Sequence, residues 1–218
     1  MSVGVEGEKR LAAEEASELV EDGMLVGLGT GTTIAFLLDA IARCAPKCVF
    51  VASSPRTEVA ARTLGLNVQP FGDIARLDLA IDGADQITPD GWLIKGGGGA
   101  HTREKIVAAA AERFVVIADS SKIVDALRAP VPLELSPFGL AATLRELETC
   151  DVRSSSRSPD GGVLADYHGT VAVPYELSRW LSAIPGVIAH GLFAPEMVSE
   201  LLVGTRDRVR HTIIGGTR

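Results

Sequence analysis

Four short runs of nearly unbroken apolar residues, MLVGL (24–28), CVFVAS (48–53), LDLAID (77–82) and FVVIAD (114–119), alternate with segments of helical periodicity. Strands that are apolar throughout must be covered on both faces, and helices placed between them in sequence supply that cover. The alternation therefore predicts an α/β protein built on a mostly parallel sheet. The first helix is read over 9–22 from Leu11, Ala12, Ala16, Leu19 and Val20 at helical spacing, stopped by Gly23. Further helices are expected over IAFLLDAIARC (34–44), PRTEVAARTLG (55–65, with Pro55 in its first turn) and TREKIVAAAAE (102–112). WLIK (92–95) reads as the end of another strand.

The pattern changes at RAPVPLELSP (128–137), where Pro130, Pro132 and Pro137 mark a boundary. Beyond it the order is that of a smaller α+β unit. A strand VPLELS (131–136) and a helix over 138–149 lead to a polar SSSRSPDGG hairpin region, in which Ser154–Ser158 reads as a surface loop. A strand VLADYH (163–168), a helix over 174–184 and a strand GVIAHGLF (186–193) follow. SELLVGTRDRVRHTIIG (199–215) offers two more short strands. The expected division is a larger domain of residues 1–129 plus 200–218 and a subdomain of residues 130–199.

Composition excludes several classes of function. A net charge of −7 disfavours nucleic acid as the partner, so an anionic ligand has to be held by a few local donors. Cys44, Cys48 and Cys150 form an odd set without CxxC or clustered histidines, which suggests neither a disulfide framework nor a zinc site. No apolar run reaches membrane-spanning length, since Asp39 interrupts IAFLLDAIA. The start MSVGVEGEKR has no signal-peptide character, so a cytoplasmic location is expected.

In an open parallel sheet, ligands bind beyond the carboxyl ends of the strands, and four unusual sequences fall there: GLGTGTT (27–33), ASSPRTE (52–58), DGAD (82–85) and KGGGGA (95–100). GLGTGTT links a strand to a helix, so its amides and the hydroxyls of Thr30, Thr32 and Thr33 around Gly31 can meet a phosphate at the positive helix end. It is neither a Walker A loop nor a full GxGxxG, and a tight turn with a threonine cap would explain it as well. In DGAD, Asp82 and Asp85 are separated by the small residues Gly83 and Ala84, which let a ligand come close. Two nearby carboxylates raise each other's pKa and suit proton transfer; an Asx-capped turn or a Mg²⁺ site lacking its third carboxylate are the alternatives. Gly96, Gly97, Gly98 and Gly99 between Lys95 and the next helix could aim successive N–H groups at a developing oxyanion, with the Lys95 charge beside it and Glu104 as a base. Those are the parts needed to remove a proton next to a carbonyl. Arg103 and Lys105 read as solvated or packing charges, and His101 as a loop residue.

GLGTGTT, SSPRTE, DGAD, KGGGGA…REK and ADSSK, in this order and spacing, resemble ribose-5-phosphate isomerase of the A type, from Lys9 to the LLVGT near the C-terminus. The resemblance implies a metal-free, cofactor-free aldose–ketose isomerase that interconverts ribose 5-phosphate and ribulose 5-phosphate through an enediolate. It implies Glu104 as the base between C2 and C1, Asp82 for ring opening and proton traffic, and Asp85 on the sugar hydroxyls. Lys95 and the amides of Gly96–Gly98 would stabilise the enediolate, while Thr30–Thr33, Lys122 and Lys9 would hold the phosphate. It further implies a Rossmann-like domain carrying an inserted ferredoxin-like, oligomer-forming subdomain, a homodimer or homotetramer, and a return of LLVGT to the first domain. A sugar phosphate is the expected partner, with no nucleic acid or membrane.

Two positions depart from the family pattern. Gln86 stands where DGADE is usual, and His101 where an apolar residue is common; both put kinetic tuning in question and leave the base untouched. Rival readings are an aminosugar-phosphate deaminase or CoA transferase of related fold, and a phosphosugar-sensing effector domain. The last would need a DNA-binding helix-turn-helix, for which the chain has neither room nor charge before residue 24.

Overall fold

The computed structural model describes residues 4–215, and the side chains of all of these but residues 155 and 156. The first half of the chain runs through α1 (Val5–Ser17), β1 (Leu25–Leu28), α2 (Thr32–Cys44), β2 (Val49–Ala52), α3 (Pro55–Thr63), β3 (Leu77–Asp82), β4 (Gln86–Ile87), β5 (Leu93–Ile94), α4 (His101–Ala110) and β6 (Ala111–Asp119). A 3₁₀ turn over Ser120–Lys122 precedes β7 (Val131–Leu135), α5 (Leu140–Leu147), β8 (Cys150–Arg157), β9 (Val163–Tyr167), α6 (Pro174–Ala183), β10 (Val187–His190), β11 (Leu192–Phe193), β12 (Glu200–Gly204) and β13 (Val209–Ile213).

Two compact units emerge, each assembled from separate segments. One comprises Met1–Ala84, Arg103–Lys122 and Pro195–Arg218, the other Asp85–Thr102 and Ile123–Ala194. The segment 85–102 thus belongs with the smaller unit, where the sequence had suggested one excursion, leaving at 130 and returning at 200. The reason is local: β4 and β5 are two-residue strands, and they pair with each other and with β11 in the three-stranded order β11-β5-β4.

The larger unit holds a six-stranded sheet in the order β13-β12-β6-β3-β1-β2, parallel apart from the antiparallel β12–β13 pair. The LLVGT segment returns to it as β12, alongside β6. Its core gathers Ala12, Ala13 and Ala16 of α1, Ile34, Leu37 and Ile41 of α2, and Leu28, Phe50, Ile81 and Ile117 of the strands. Burying each of the larger side chains contributes about 1.5–3 kcal/mol. The small alanines let α1 lie close, and a Cβ on Gly204 would strike the Glu8 carbonyl, so glycine there keeps the end of β12 clear of α1. This is the expected Rossmann-like arrangement.

In the smaller unit, β7-α5-β8-β9-α6-β10 forms an antiparallel sheet in the order β10-β7-β9-β8, the ferredoxin-like βαββαβ arrangement. Val131, Leu133, Leu135, Ala165, Leu147, Leu177 and Leu181 fill its core. Two local expectations change. Ser154–Arg157 belong to β8 instead of a loop, and Ser158 is buried with its hydroxyl on the Glu134 carboxylate. GVIAHGLF is two strands in two different sheets, broken at Gly191, where a Cβ would collide with the Lys95 carbonyl. Among the described residues no helix is long and apolar enough to cross a membrane.

Candidate active site

In the larger unit β6, β3 and β1 are neighbours and parallel, so their carboxyl ends share one edge of the sheet. Asp82, the last residue of β3, is 4% exposed, and its Oδ1 accepts the N–H groups of Gly83 (2.7 Å) and Thr30 (3.1 Å). These bonds tie the DGAD turn to the GLGTGTT turn. Gly29 is required for it, because a Cβ there would lie within 2.5 Å of Oδ1, Cγ and Cβ of Asp82. ASSPRTE completes the same knot: Ser54 caps α3 by accepting the Thr57 N–H, its hydroxyl lies 3.1 Å from Thr30 Oγ1, and the Thr57 hydroxyl donates to the Gly29 carbonyl.

Gly31, with φ of 116°, precedes α2, and no side chain caps that helix. The first N–H groups of α2 therefore carry the positive end of its dipole outward, with Thr33 buried and Thr32 exposed beside them. Lys9 Nζ donates to Thr32 Oγ1 at 2.8 Å. Its neighbour Glu8, buried, accepts both the N–H and the hydroxyl of Ser120 (3.0 and 2.6 Å), so one turn of α1 carries Lys9 and also holds the 3₁₀ turn that ends at the half-buried Lys122. Two lysines and a helix N-terminus, groups of the kind that suit a dianion, thus belong to one unit. Glu104 lies in the first turn of α4 and is 4% exposed. Lys105 is not a solvated charge: burial pushes its ammonium down to about 7.

In the smaller unit Lys95 follows β5 and is 2% exposed. Its N–H donates to the Gly191 carbonyl (2.9 Å), and its Nζ stands 5.5 Å from the centre of the Phe193 ring. The four glycines form a turn closed by the Gly99 N–H on the Gly96 carbonyl (3.0 Å). Gly96 (φ 110°) and Gly99 (φ 76°) occupy the left-handed region, and side chains at these positions would also strike His101 and Leu164. Gly97 donates its N–H to Asp85 Oδ2 at 2.8 Å, and Asp85 itself is exposed. His101 is the fully buried first residue of α4, not a loop residue.

The larger unit thus holds Lys9, Thr30, Gly31, Thr32, Thr33, Asp82, Gly83, Ala84, Glu104 and Lys122; the smaller holds Asp85, Lys95, Gly96, Gly97 and Gly98. Among the described residues no three His, Cys, Asp or Glu side chains gather to hold a metal ion. Two features were invisible in the motifs. Gln86 donates its amide to the Arg128 carbonyl and accepts the Arg128 N–H, both at 2.8 Å, copying a strand pairing with its side chain. Arg153 of β8 is clamped by Asp166 and donates to the carbonyls of Gly96 and Gly97.

Residues 49–208 match the family model described as ribose 5-phosphate isomerase A (phosphoriboisomerase A). A ribose-5-phosphate isomerase A of Gluconobacter oxydans is 41% identical over 93% of this chain and 95% of its own. That of Roseiflexus castenholzii is 45% identical over 85% and 86%. Among solved structures, ribose 5-phosphate isomerase A from Neisseria gonorrhoeae superposes with a TM-score of 0.93 at 32% identity, covering 98% of this chain and 99% of its own. A D-ribose-5-phosphate isomerase in complex with phospho-erythronic acid gives 0.90, also at 32%, over 96% and 99%.

Proposed function

Because this chain belongs to the ribose 5-phosphate isomerase A family, we propose that it interconverts D-ribose 5-phosphate and D-ribulose 5-phosphate through an enediolate, with Glu104 as the base. Removing a proton next to a carbonyl leaves negative charge on the carbonyl oxygen, so the chemistry needs a positioned base and donors that meet that charge as it forms. Glu104 carries the proton between C2 and C1. Lys95 and the amides of Gly96–Gly98 stabilise the enediolate, Asp82 assists ring opening, and Asp85 binds hydroxyls. Thr30–Thr33, Lys9 and Lys122 hold the phosphate.

The observation that carries the reading is the burial of the Glu104 carboxylate in the first helical turn after a glycine turn. A base removed from bulk water keeps its proton for return to the substrate. The uncapped N-terminus of α2 with Lys9 on Thr32 supports the phosphate assignment. The enzyme is proposed to work in the cytoplasm and without metal. It is proposed to assemble as a homodimer or homotetramer through the smaller unit, on which Phe138, Tyr175 and Ile188 are 91%, 57% and 49% exposed; sedimentation of a Phe138→Asp variant tests the assembly.

Steady-state kinetics with ribose 5-phosphate in EDTA test the mechanism. Glu104→Gln should lower kcat by at least roughly 10²-fold while substrate still binds. In D₂O the wild type should place deuterium at the reacting carbon. A Glu104→Gln enzyme with near-normal kcat removes Glu104 from the role of base.

A further inference from the structure

Arg153 stands 57 residues from the glycine turn in sequence, on β8, and is partly buried. Its Nε and Nη2 donate to the two oxygens of Asp166 at 2.7 and 2.6 Å, a two-point pair that leaves the guanidinium little freedom to turn. The remaining nitrogen, Nη1, donates to the carbonyl of Gly96 at 3.0 Å and to that of Gly97 at 3.3 Å. One planar cation therefore spans a carboxylate and two successive peptide groups.

Peptide planarity gives this contact its consequence. In a trans peptide the C=O and the following N–H point in opposite directions. Holding the carbonyls of Gly96 and Gly97 on Arg153 turns the N–H groups of Gly97 and Gly98 away from it. The Gly97 N–H is taken up by Asp85 Oδ2 at 2.8 Å, a second anchor on the same peptide. Glycine peptides have no side chain to resist rotation, so without an anchor both units can flip at little cost. A cation on the oxygens also polarises each peptide and strengthens its N–H as a donor.

We propose that Arg153, locked by Asp166, is a positioning residue for the isomerisation: by holding the carbonyls of Gly96 and Gly97 it fixes the Gly96–Gly97 peptide, whose N–H holds Asp85, and the Gly97–Gly98 peptide, whose N–H is turned to the oxygen that becomes negative. The proposal rests on the reading above, in which the Gly98 amide is among the donors to the enediolate and Asp85 binds the sugar hydroxyls. Arg153 acts through the turn and does not itself touch substrate. Its contribution belongs to the transition state, so its loss appears in kcat more than in KM.

Arg153→Lys keeps the charge but cannot make the two-point pair and reach both carbonyls at once. It is expected to lower kcat by at least about tenfold, part of the loss for a whole oxyanion donor, with KM changed less than about threefold. Phospho-erythronic acid, the compound bound in one solved relative, carries a carboxylate that stands in for the enediolate oxygens. Its inhibition constant should rise by about the factor that kcat falls. In ¹⁵N-labelled protein the Gly97 and Gly98 amide resonances should shift or broaden. Asp166→Asn, which frees the guanidinium without removing it, should show a smaller loss of the same pattern, and guanidinium ion should partly restore kcat to Arg153→Ala. Glu104→Gln is assayed alongside. If Glu104→Gln keeps full kcat, the underlying reading fails. If it falls while folded Arg153→Lys and Asp166→Asn keep wild-type kcat and inhibitor affinity, only the positioning role is overturned, as it is if Arg153→Lys loses thermal stability alone.

Discussion

Replacing Gly29 by alanine perturbs a single contact whose size follows from the geometry. The Gly29 backbone lies outside the left-handed region, so alanine meets no torsional objection; its methyl carbon meets Asp82, three of whose side-chain atoms lie within 2.5 Å of the new position. If the carboxylate stays, the cost is that of overpacking a tight interior, about 1–3 kcal/mol. If it swings away, it surrenders the N–H groups of Thr30 and Gly83, and hydrogen bonds to a charged group contribute about 1.5–3 kcal/mol each. The chain takes the cheaper route, so a loss of about 2–3 kcal/mol is expected. For a chain of this length that lowers Tm by roughly 5–10 °C. The displaced carboxylate should also cut kcat by at least about tenfold, part of the roughly 10²-fold lost when a positioned proton-handling group is removed. Urea and thermal unfolding with steady-state kinetics read both effects. The decisive comparison is the Asp82→Gly background, which has none of the three offending atoms. There Gly29→Ala should cost under about 0.5 kcal/mol, the mark of direct coupling. An equal cost in both backgrounds would refute the argument.

Lys122→Ala should mainly raise KM, because phosphate contacts are shared by ground and transition states, whereas Lys95→Ala should mainly lower kcat, by roughly 10²-fold; the reverse pattern would exchange the two assignments. Gln86→Glu replaces the N–H donor that meets the Arg128 carbonyl by a carboxylate oxygen. It should cost about 1 kcal/mol of stability and leave the acid limb of the rate profile in place; a limb displaced by more than about half a pH unit would show that residue 86 acts on the catalytic carboxylates. Lys105 has a folded-state pKa near 7 against 10.5 for a free side chain, so between those values the unfolded chain binds more protons and stability should rise with pH. The penalty is fully present below pH 7. Lys105→Met should flatten that rise, and parallel stability–pH curves for the two proteins would contradict it.

Repeating units with a local cause were legible in the sequence. The all-apolar strands with helices between them gave the parallel sheet, and the strand-end rule placed DGAD, GLGTGTT, ASSPRTE and KGGGGA on its edge; Asp82, Gly29, Thr30, Ser54 and Thr57 of the first three do form one hydrogen-bonded knot, whereas KGGGGA follows β5 of the separate antiparallel three-stranded sheet. What escaped was carried by single side chains bonding to distant backbone. Nothing around Arg153 announces that its partner is the carbonyl of a glycine 57 residues earlier, nor does Glu8 show that it receives Ser120, 112 residues on. The crossing at residue 85 was hidden for another reason: a two-residue strand such as β4 or β5 has no periodicity to detect.

Gln86 shows how adjacency in sequence misleads about adjacency in space. As the residue after Asp85, in a position where the family pattern has an acid, it invited an electrostatic reading. Yet Gln86 opens a strand, and successive side chains in extended backbone leave on opposite faces. Asp85 turns to the Gly97 N–H, and Gln86 turns to the backbone of Arg128. A carboxylate there could accept the Arg128 N–H but would repel the Arg128 carbonyl, while the amide satisfies both, so glutamine suits the partner this chain presents. The same logic applies to the four glycines. Their presence declares that something comes close or that the backbone bends, but His101, Asp85, Leu164 and Arg153 are what come close. Only the folded arrangement shows that Arg153 holds the turn by the carbonyls of Gly96 and Gly97 while its N–H groups go separate ways, Gly97 to Asp85 and Gly99 to the Gly96 carbonyl, which is what fixes the plane of the Gly97–Gly98 peptide.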